Sequence, residues 1–76
     1  MHCVYILRDP MTSHHYTGST EKLERRLAEH HVKRPGYVLI YQETFDTKNE
    51  AQAREKFLKT GDGRRWLKKR LLDLGV

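Results

Sequence analysis

One short predicted helix places an arginine and a histidine next to its apolar, inward-facing side. In the stretch LERRLAEHH, which begins at Leu23, a rotation of about 100° per residue puts Arg26 and His30 at the border of the apolar stripe formed by Leu23 and Leu27. A guanidinium is always charged and presents a fork of donors that suits phosphate, and an imidazole changes its protonation state near neutral pH. The position of these two residues therefore requires an explanation.

A carboxylate occupies a similar position in a second predicted helix. Glu55 shares an apolar stripe with Ala51 and Leu58. Burying an unpaired charge costs several kcal/mol, so Glu55 is expected to have a partner, either a cation of the protein or a bound metal. Helical periodicity leaves two simpler explanations open, which are a salt bridge from Glu55 to Arg26 and a tilted helix that lets both side chains reach water.

Two tyrosines lie in predicted strands upstream of these helices, in Cys3-Val4-Tyr5 and in Tyr16-Thr17-Gly18. Strand tyrosines commonly pack their rings and leave their hydroxyl groups in water, so their residue type alone does not distinguish a structural from a functional role. Gly18 is expected to serve the backbone, either as a bend out of the strand or as a point of close approach for a substrate.

The elements that position these residues follow the order β-β-α-β-α-α. Apolar residues at both parities predict a buried strand over residues 3–8, a turn at Asp9-Pro10 leads to a second strand over 15–18, and alternation predicts a third over 37–45. Ser19 or Thr20 is predicted to cap the first helix. Thr47 and Glu50 predict a capping box for a second helix that ends near Thr60 at Gly61. The last helix is predicted over about 64–74, with these apolar members: Trp66, Leu67, Leu71 and Leu74. Of these, Trp66 and Leu67 are expected to lie in the core.

Net charge points to a polyanionic partner. Fifteen Lys and Arg stand against ten Asp and Glu, and the excess lies in residues 54–76, which hold eight basic and three acidic residues. A basic segment of this kind is typical of nucleic-acid binding, and it is also compatible with a simple solvated face. Within it, the last predicted helix offers four cations that could follow DNA phosphates: Arg64, Arg65, Lys68 and Lys69.

Length and cysteine content predict one small domain in a reducing compartment. Seventy-six residues suffice for a single domain over residues 1–76, with a thin core. A single cysteine, Cys3, cannot form an internal disulfide, and the apolar run from Val4 to Leu7 is too short for a membrane span. We therefore expect a cytoplasmic protein with no membrane association, a monomer or a weak dimer. The five histidines lack the spacing of a zinc site.

Four segments, in this order and at these separations, carry a family resemblance: VYILR, YTG, LERRLAEH and EAQAREKFLKTG. Together they resemble the GIY-YIG endonuclease superfamily, in particular its small, stand-alone, excinuclease-like members. The resemblance implies an α+β fold, with a small three-stranded antiparallel sheet flanked by helices. It also implies a metal-dependent DNA endonuclease, with DNA repair among the roles of the family. Because a domain of 76 residues has little surface for reading bases, we expect it to select DNA structure over sequence.

The resemblance assigns a role to each unusual residue. Tyr5 matches the tyrosine that positions or deprotonates the attacking water, and Tyr16 matches a second one in the same network. Arg26 matches the arginine that holds the scissile phosphate, His30 matches a proton carrier or phosphate contact, and Glu55 matches the carboxylate that binds Mg²⁺ or Mn²⁺. No other small-molecule cofactor is implied.

The sequence departs from the family pattern at three places, and these keep other functions open. Cys3 replaces the leading glycine of the first tripeptide, Asn49 lies upstream of Glu55 whereas many catalytic members carry an asparagine downstream, and the segment between His31 and Tyr37 is short. The alternatives are a catalytically inactive DNA-binding module of the same fold and an interaction protein whose basic helix meets an acidic partner.

Overall fold

The computed structural model describes residues 1–75 and contains the predicted element order. The elements are β1 (His2–Arg8), β2 (His15–Thr20), α1 (Leu23–Lys33), β3 (Val38–Phe45), α2 (Lys48–Leu58) and α3 (Gly61–Asp73). The predicted α+β class is confirmed. None of the helices in this range has the length and apolar character needed to cross a bilayer.

The sheet is antiparallel throughout, with the strand order β2-β1-β3. Tyr5 in the central strand pairs with Gly18 on one side and with Gln42 on the other. A register shift between Ile6 and Leu7 interrupts the ladder to β3. The connection from β2 to β3 contains α1 and crosses β1, and α1 contacts the sheet through His30, which meets Tyr5 and Tyr16.

The central strand is buried on both faces, which explains its uninterrupted apolar sequence. Val4 and Ile6 point to the face that α2 and α3 cover, where they join a core that includes Leu58 and Leu67. Tyr5 points to the opposite face and meets α1. The prediction that this strand is covered on both faces is confirmed.

The start of α1 differs from the prediction. β2 continues to Thr20, two residues beyond its predicted end, and α1 begins only at Leu23. Thr20 Oγ1 accepts a hydrogen bond from the backbone N–H of Lys22, whereas no side chain caps the helix itself. Ser19 is instead bound to Glu55. The predicted cap by Ser19 or Thr20 is therefore wrong, because both residues extend the strand.

The joint between α2 and α3 is tighter than predicted. Thr47 caps α2 as expected, with its hydroxyl accepting from the N–H of Glu50. Gly61, predicted to lie between the helices, is the first residue of α3, because Thr60 Oγ1 caps this helix by accepting from the N–H of Gly63. A methyl group on Gly63 would overlap the carbonyl oxygen of Phe57, so only glycine permits this close crossing.

Two of the four predicted apolar contacts of the last helix are absent from the core. Leu67 and Leu71 are buried, but Leu74 is 51% exposed and Trp66 is 36% exposed. Trp66 lies outside the core because the guanidinium of Arg54 stacks on its ring, with the guanidinium carbon 4.2 Å from the ring centroid. The predicted placement of Leu67 in the core is confirmed, and that of Trp66 is wrong.

Candidate active site

A buried phenol and a buried imidazole meet between the sheet and α1. Tyr5 Oη lies 2.9 Å from His30 Nε2, and the two residues are 1% and 5% exposed. The ring of Tyr16 completes the cluster, with its centroid 4.6 Å from the His30 ring and 6.3 Å from the Tyr5 ring. The hairpin of β1 and β2 thus supplies two phenols, and the last turns of α1 supply the imidazole.

Both partners of this pair are held in their neutral forms. Burial raises the pKa of Tyr5 to about 12, with Tyr16 acting in the same direction and the positive charge of Arg26 acting against it. Burial also lowers the pKa of His30, and the neighbouring cations Arg34 and Arg26 lower it further. At neutral pH the pair is a phenol and an uncharged imidazole.

Gly18 creates the space that the Tyr5 ring fills. A Cβ atom at position 18 would lie 2.6 Å from Tyr5 Oη and 2.8 Å from its Cζ, closer than carbon atoms approach either. The predicted close approach at Gly18 therefore exists, but the neighbour is the phenol of the adjacent strand. The glycine of the Tyr-Thr-Gly tripeptide is needed so that the first tyrosine can lie across β2.

Arg26 lies beside an open cleft of about 620 Å³ between α1 and the first turns of α2. Its guanidinium is 46% exposed and lies 3.8 Å from the carboxylate of Glu29, a loose pairing that an incoming anion can replace. Three further cations line the cleft, Lys22, Arg25 and Lys48, against the two carboxylates of Glu21 and Glu29, so that its lining carries an excess of positive charge. Ser19, at the end of β2, is also among its lining residues.

Glu55 is an ionised, half-buried carboxylate with two partners. Ser19 Oγ donates to Oε1 at 2.6 Å, and Lys59 Nζ donates to Oε2 at 2.8 Å. Partial burial alone would raise the pKa of Glu55, but the hydrogen bonds from Lys59 and Ser19 outweigh it and lower that pKa. The expected cationic partner is Lys59, and within residues 1–75 no salt bridge joins Glu55 to Arg26. The explanation that Glu55 and Arg26 form a salt bridge with each other is therefore wrong.

Ser19 connects the carboxylate to the arginine cleft. It lines the cleft beside Arg26, and its hydroxyl is bound to Glu55. The charges of Arg26 and Glu55 also both act on the pKa of Tyr5, the first lowering it and the second raising it. The structure thus brings Tyr5, Tyr16 and His30 into direct contact, whereas Glu55 is linked to the arginine cleft through Ser19, and no hydrogen bond or salt bridge within residues 1–75 joins Arg26 or Glu55 to the tyrosine–histidine cluster.

Glu55 is compatible with a hard divalent cation. Among residues 1–75 no three His, Cys, Asp or Glu side chains cluster as a metal site, so the protein could supply few ligands. Mg²⁺ commonly keeps several waters and takes other ligands from substrate phosphate, and for such an ion one ionised carboxylate suffices. The side chain of Lys59 is 53% exposed and has room to leave Oε2.

The four predicted DNA-contacting cations of α3 do not line this cleft. Arg64 and Lys68 border a separate groove with an apolar floor, and Arg65 pairs with Asp62 on the same helix. The cleft cations Lys22, Arg25 and Lys48 were not predicted. Sequence offered a signal for Lys22, which lies four residues before Arg26 and therefore on the same side of the helix, but none for Arg25, whose side chain points away from its neighbour in sequence.

A comparison with protein families decides the assignment. The GIY-YIG catalytic domain matches residues 1–69, which is nearly the whole chain and includes all five predicted catalytic positions. The chain belongs to the GIY-YIG family. Membership in this family indicates a nuclease, with DNA as its implied substrate.

Two relatives resemble most of the chain. A UPF0213 protein of Staphylococcus saprophyticus is 37% identical over 76 aligned residues, which cover 88% of this chain and 90% of the relative. A UPF0213 protein of Staphylococcus haemolyticus is 41% identical over 68 residues, covering 78% and 80%. No solved structure matches the chain.

Proposed function

We propose that this GIY-YIG protein is a metal-dependent DNA endonuclease that hydrolyses phosphodiester bonds. One observation supports the proposal above the others: Ser19 links an ionised Glu55 to the cleft of an accessible Arg26, and the neighbouring Gly18 packs against the Tyr5 of the Tyr5–His30 pair. Phosphodiester hydrolysis needs a positioned water, neutralisation of the charge that develops on phosphorus, and stabilisation of the leaving oxygen.

Arg26 is proposed to bind the scissile phosphate. Its guanidinium can donate two parallel hydrogen bonds to non-bridging oxygens and stays charged throughout the reaction. Because its pairing with Glu29 is long and half-exposed, a phosphate can take the place of that carboxylate at little cost. The cations that line the same cleft would hold the phosphates that flank the scissile one.

Tyr5 is proposed to position the attacking water, with Tyr16 packed against it. A phenol whose pKa is about 12 keeps its proton at neutral pH, so Tyr5 acts first as a hydrogen-bonding group and becomes a base only if more positive charge gathers around it. Arg26 already acts in that direction. When bound at Glu55, Mg²⁺ or Mn²⁺ would supply further positive charge for the phosphate and the leaving oxygen.

The composition of the cleft and the small size of the protein are the basis for proposing selectivity for DNA structure. Arginine and lysine side chains at the cleft suit phosphate contacts, which position a protein on DNA without reading its sequence. The described residues span only 33 × 28 × 20 Å, which leaves little surface for reading base edges. A nuclease that recognises the shape of nicked or branched DNA would fit a role in DNA repair.

The test is cleavage of DNA of several shapes by the purified protein. Linear duplex, nicked, branched and single-stranded DNA, and RNA, are incubated with Mg²⁺, with Mn²⁺ and with a chelator, and new strand ends are counted. We expect metal-dependent cleavage of at least one structured DNA and none with the chelator. Glu55→Gln is expected to lower turnover by about two to three orders of magnitude while DNA binding persists.

The matched control is Glu24→Gln, which removes an exposed carboxylate of α1 that is not among the cleft residues, and it should cleave like the wild type. Wild-type turnover in Glu55→Gln would contradict the proposal. Salt-sensitive DNA binding without new ends under any metal condition would indicate the inactive DNA-binding module, which the upstream position of Asn49 favours.

A further inference from the structure

Arg34 contacts the tyrosine–histidine cluster from outside the predicted site. It lies directly after α1, where its backbone N–H donates to the carbonyl oxygen of His30 at 2.6 Å. Its side chain turns back to the same residue, with Nη1 3.3 Å from His30 Nδ1. Its guanidinium also lies over the ring of Tyr16, 4.8 Å from the centroid. Arg34 is thus hydrogen-bonded to both the backbone carbonyl and the side-chain Nδ1 of His30.

The chemistry of arginine determines which nitrogen of His30 carries a proton. A guanidinium has donors and no acceptor, so Nδ1 must accept and must be unprotonated. The neutral imidazole then carries its hydrogen on Nε2. That N–H points at Tyr5 Oη, 2.9 Å away, so the phenol oxygen accepts and its own proton is available for another partner.

We propose that Arg34 is a positioning residue that holds His30 in the Nε2–H tautomer, so that the buried Tyr5 oxygen accepts from His30 and keeps its own hydroxyl proton for a different acceptor during the reaction. In the opposite tautomer Tyr5 would donate that proton to His30 and would have none left to donate elsewhere. The tautomer assignment stands on the geometry alone, and its catalytic consequence rests on the proposed nuclease function.

The other groups around His30 do not take the place of Arg34. The titratable and charged groups that act on the imidazole come from β1, β2, α1 and the residue after α1: Tyr5, Tyr16, Arg26, Glu29, Lys33 and Arg34. Glu29 is the one carboxylate of this set, and its oxygens face Arg25 and Arg26. The group at hydrogen-bonding distance from Nδ1 is the side chain of Arg34.

The test is the protonation of the two ring nitrogens, measured by two-bond ¹H–¹⁵N NMR on ¹⁵N-histidine-labelled protein at pH 8. The His30 signals are assigned by their loss in His30→Gln. We expect the wild type to show a protonated Nε2 and an unprotonated Nδ1. Arg34→Lys keeps a donor and should keep this pattern. Arg34→Glu presents only acceptors, so it should move the proton to Nδ1 or leave both nitrogens protonated.

Lys33→Glu is the matched control, because it makes the same charge change one residue earlier on an exposed side chain. It should retain the wild-type pattern. A wild-type His30 protonated on Nδ1, or an Arg34→Glu spectrum identical to the wild type, would overturn the assignment.

Cleavage assays on the same variants test the catalytic consequence. Arg34→Lys should retain most activity, and Arg34→Glu should lose about a hundredfold or more in turnover, as expected when a catalytic imidazole is held in the wrong tautomer. If Arg34→Glu cleaves as fast as the wild type, the catalytic consequence is wrong. If the wild type itself cleaves no substrate, the proposed function fails while the NMR result still decides the tautomer.

Discussion

At the scale of single residues, the site depends on how closely a few atoms approach one another. Tyr5 is confined by Gly18 beneath its ring and by His30 at its hydroxyl, so it has almost no rotational freedom. Such confinement holds a catalytic group in one geometry before substrate arrives, which lowers the entropic cost of reaching the reactive arrangement.

Gly18→Ala tests this confinement. The added methyl group would displace the Tyr5 ring, so we expect a loss of about 1–3 kcal/mol in the free energy of unfolding and a marked loss of cleavage. Urea denaturation and the DNA cleavage assay measure the two effects. Gly61→Ala is the control, because a Cβ there meets only Arg65 Nη1 at 3.9 Å. Equal stability of the two variants would contradict the close packing at Gly18.

The buried imidazole predicts a pH dependence of stability. Burial lowers the pKa of His30 in the folded protein, so the unfolded chain takes up this proton at a higher pH than the folded one. The stabilisation is present above the unfolded pKa of about 6.5 and is lost as the pH falls through the folded value. Urea unfolding at pH 7.5 and pH 5 should show a larger acid-induced loss in the wild type than in His30→Gln. An identical loss in both would contradict a neutral, buried His30.

At the scale of elements, one arginine joins β3, α2 and α3. Arg54 Nε donates to Glu43 Oε1 at 2.8 Å, and its guanidinium stacks on the rings of Trp66 and Phe57. The ion pair is largely shielded, with the two side chains 26% and 21% exposed. This contact holds α3 against the sheet where Trp66 does not enter the core.

Arg54→Met keeps the aliphatic bulk and removes the charge. We expect a loss of about 1–2 kcal/mol in the free energy of unfolding, because the cation–π contacts disappear and Glu43 loses its ion-pair partner, keeping only the hydrogen bond from Tyr41. Arg65→Met removes a 76% exposed guanidinium from α3 and is expected to change stability by less than about 0.5 kcal/mol. Thermal unfolding of the two variants gives the comparison, and a neutral Arg54→Met would show that the stack contributes nothing.

Local patterns predicted most of these elements, and long-range contacts account for the errors. The apolar run of β1 and the Thr47 cap were readable because both signals lie within a few residues. The bond from Ser19 to Glu55 spans 36 positions, and the stack of Arg54 on Trp66 joins two helices. Neither contact produces a periodic pattern in the sequence. The burial of Trp66 was therefore overestimated, and the contact of Ser19 with Glu55 was not predicted.

At the scale of the whole molecule, positive charge occupies two separate regions. One contains the arginine cleft between α1 and α2, and the other is the exposed face of α3, where Arg64 and Lys68 border a different groove. Only the first is adjacent to the residues proposed for catalysis. We therefore expect the cleft to dominate binding of the cleaved DNA segment, whereas the contribution of α3 stays a prediction.

Reversing one charge in each region shows which of the two regions contributes more to DNA binding. Lys48→Glu at the cleft should weaken DNA binding and reduce the dependence of log Kd on log salt by about 0.9 for each lost phosphate contact. Lys68→Glu on α3 makes the same charge change and should have the smaller effect. Titrations of a nicked duplex at several salt concentrations measure both. A larger loss in Lys68→Glu would place the main DNA contact on α3.

The ammonium of Lys59 on Glu55 has a consequence for how the protein responds to its ionic surroundings. Without a bound metal, the Lys59 ammonium already neutralises the Glu55 carboxylate. A divalent ion that binds there must displace this ammonium, which is attached to the same chain and therefore always close by. If Glu55 holds the ion as proposed, occupancy rises only once the dissolved ion exceeds a threshold set by Lys59, the residue directly after α2. The proposed cleavage would then stay low when magnesium is scarce.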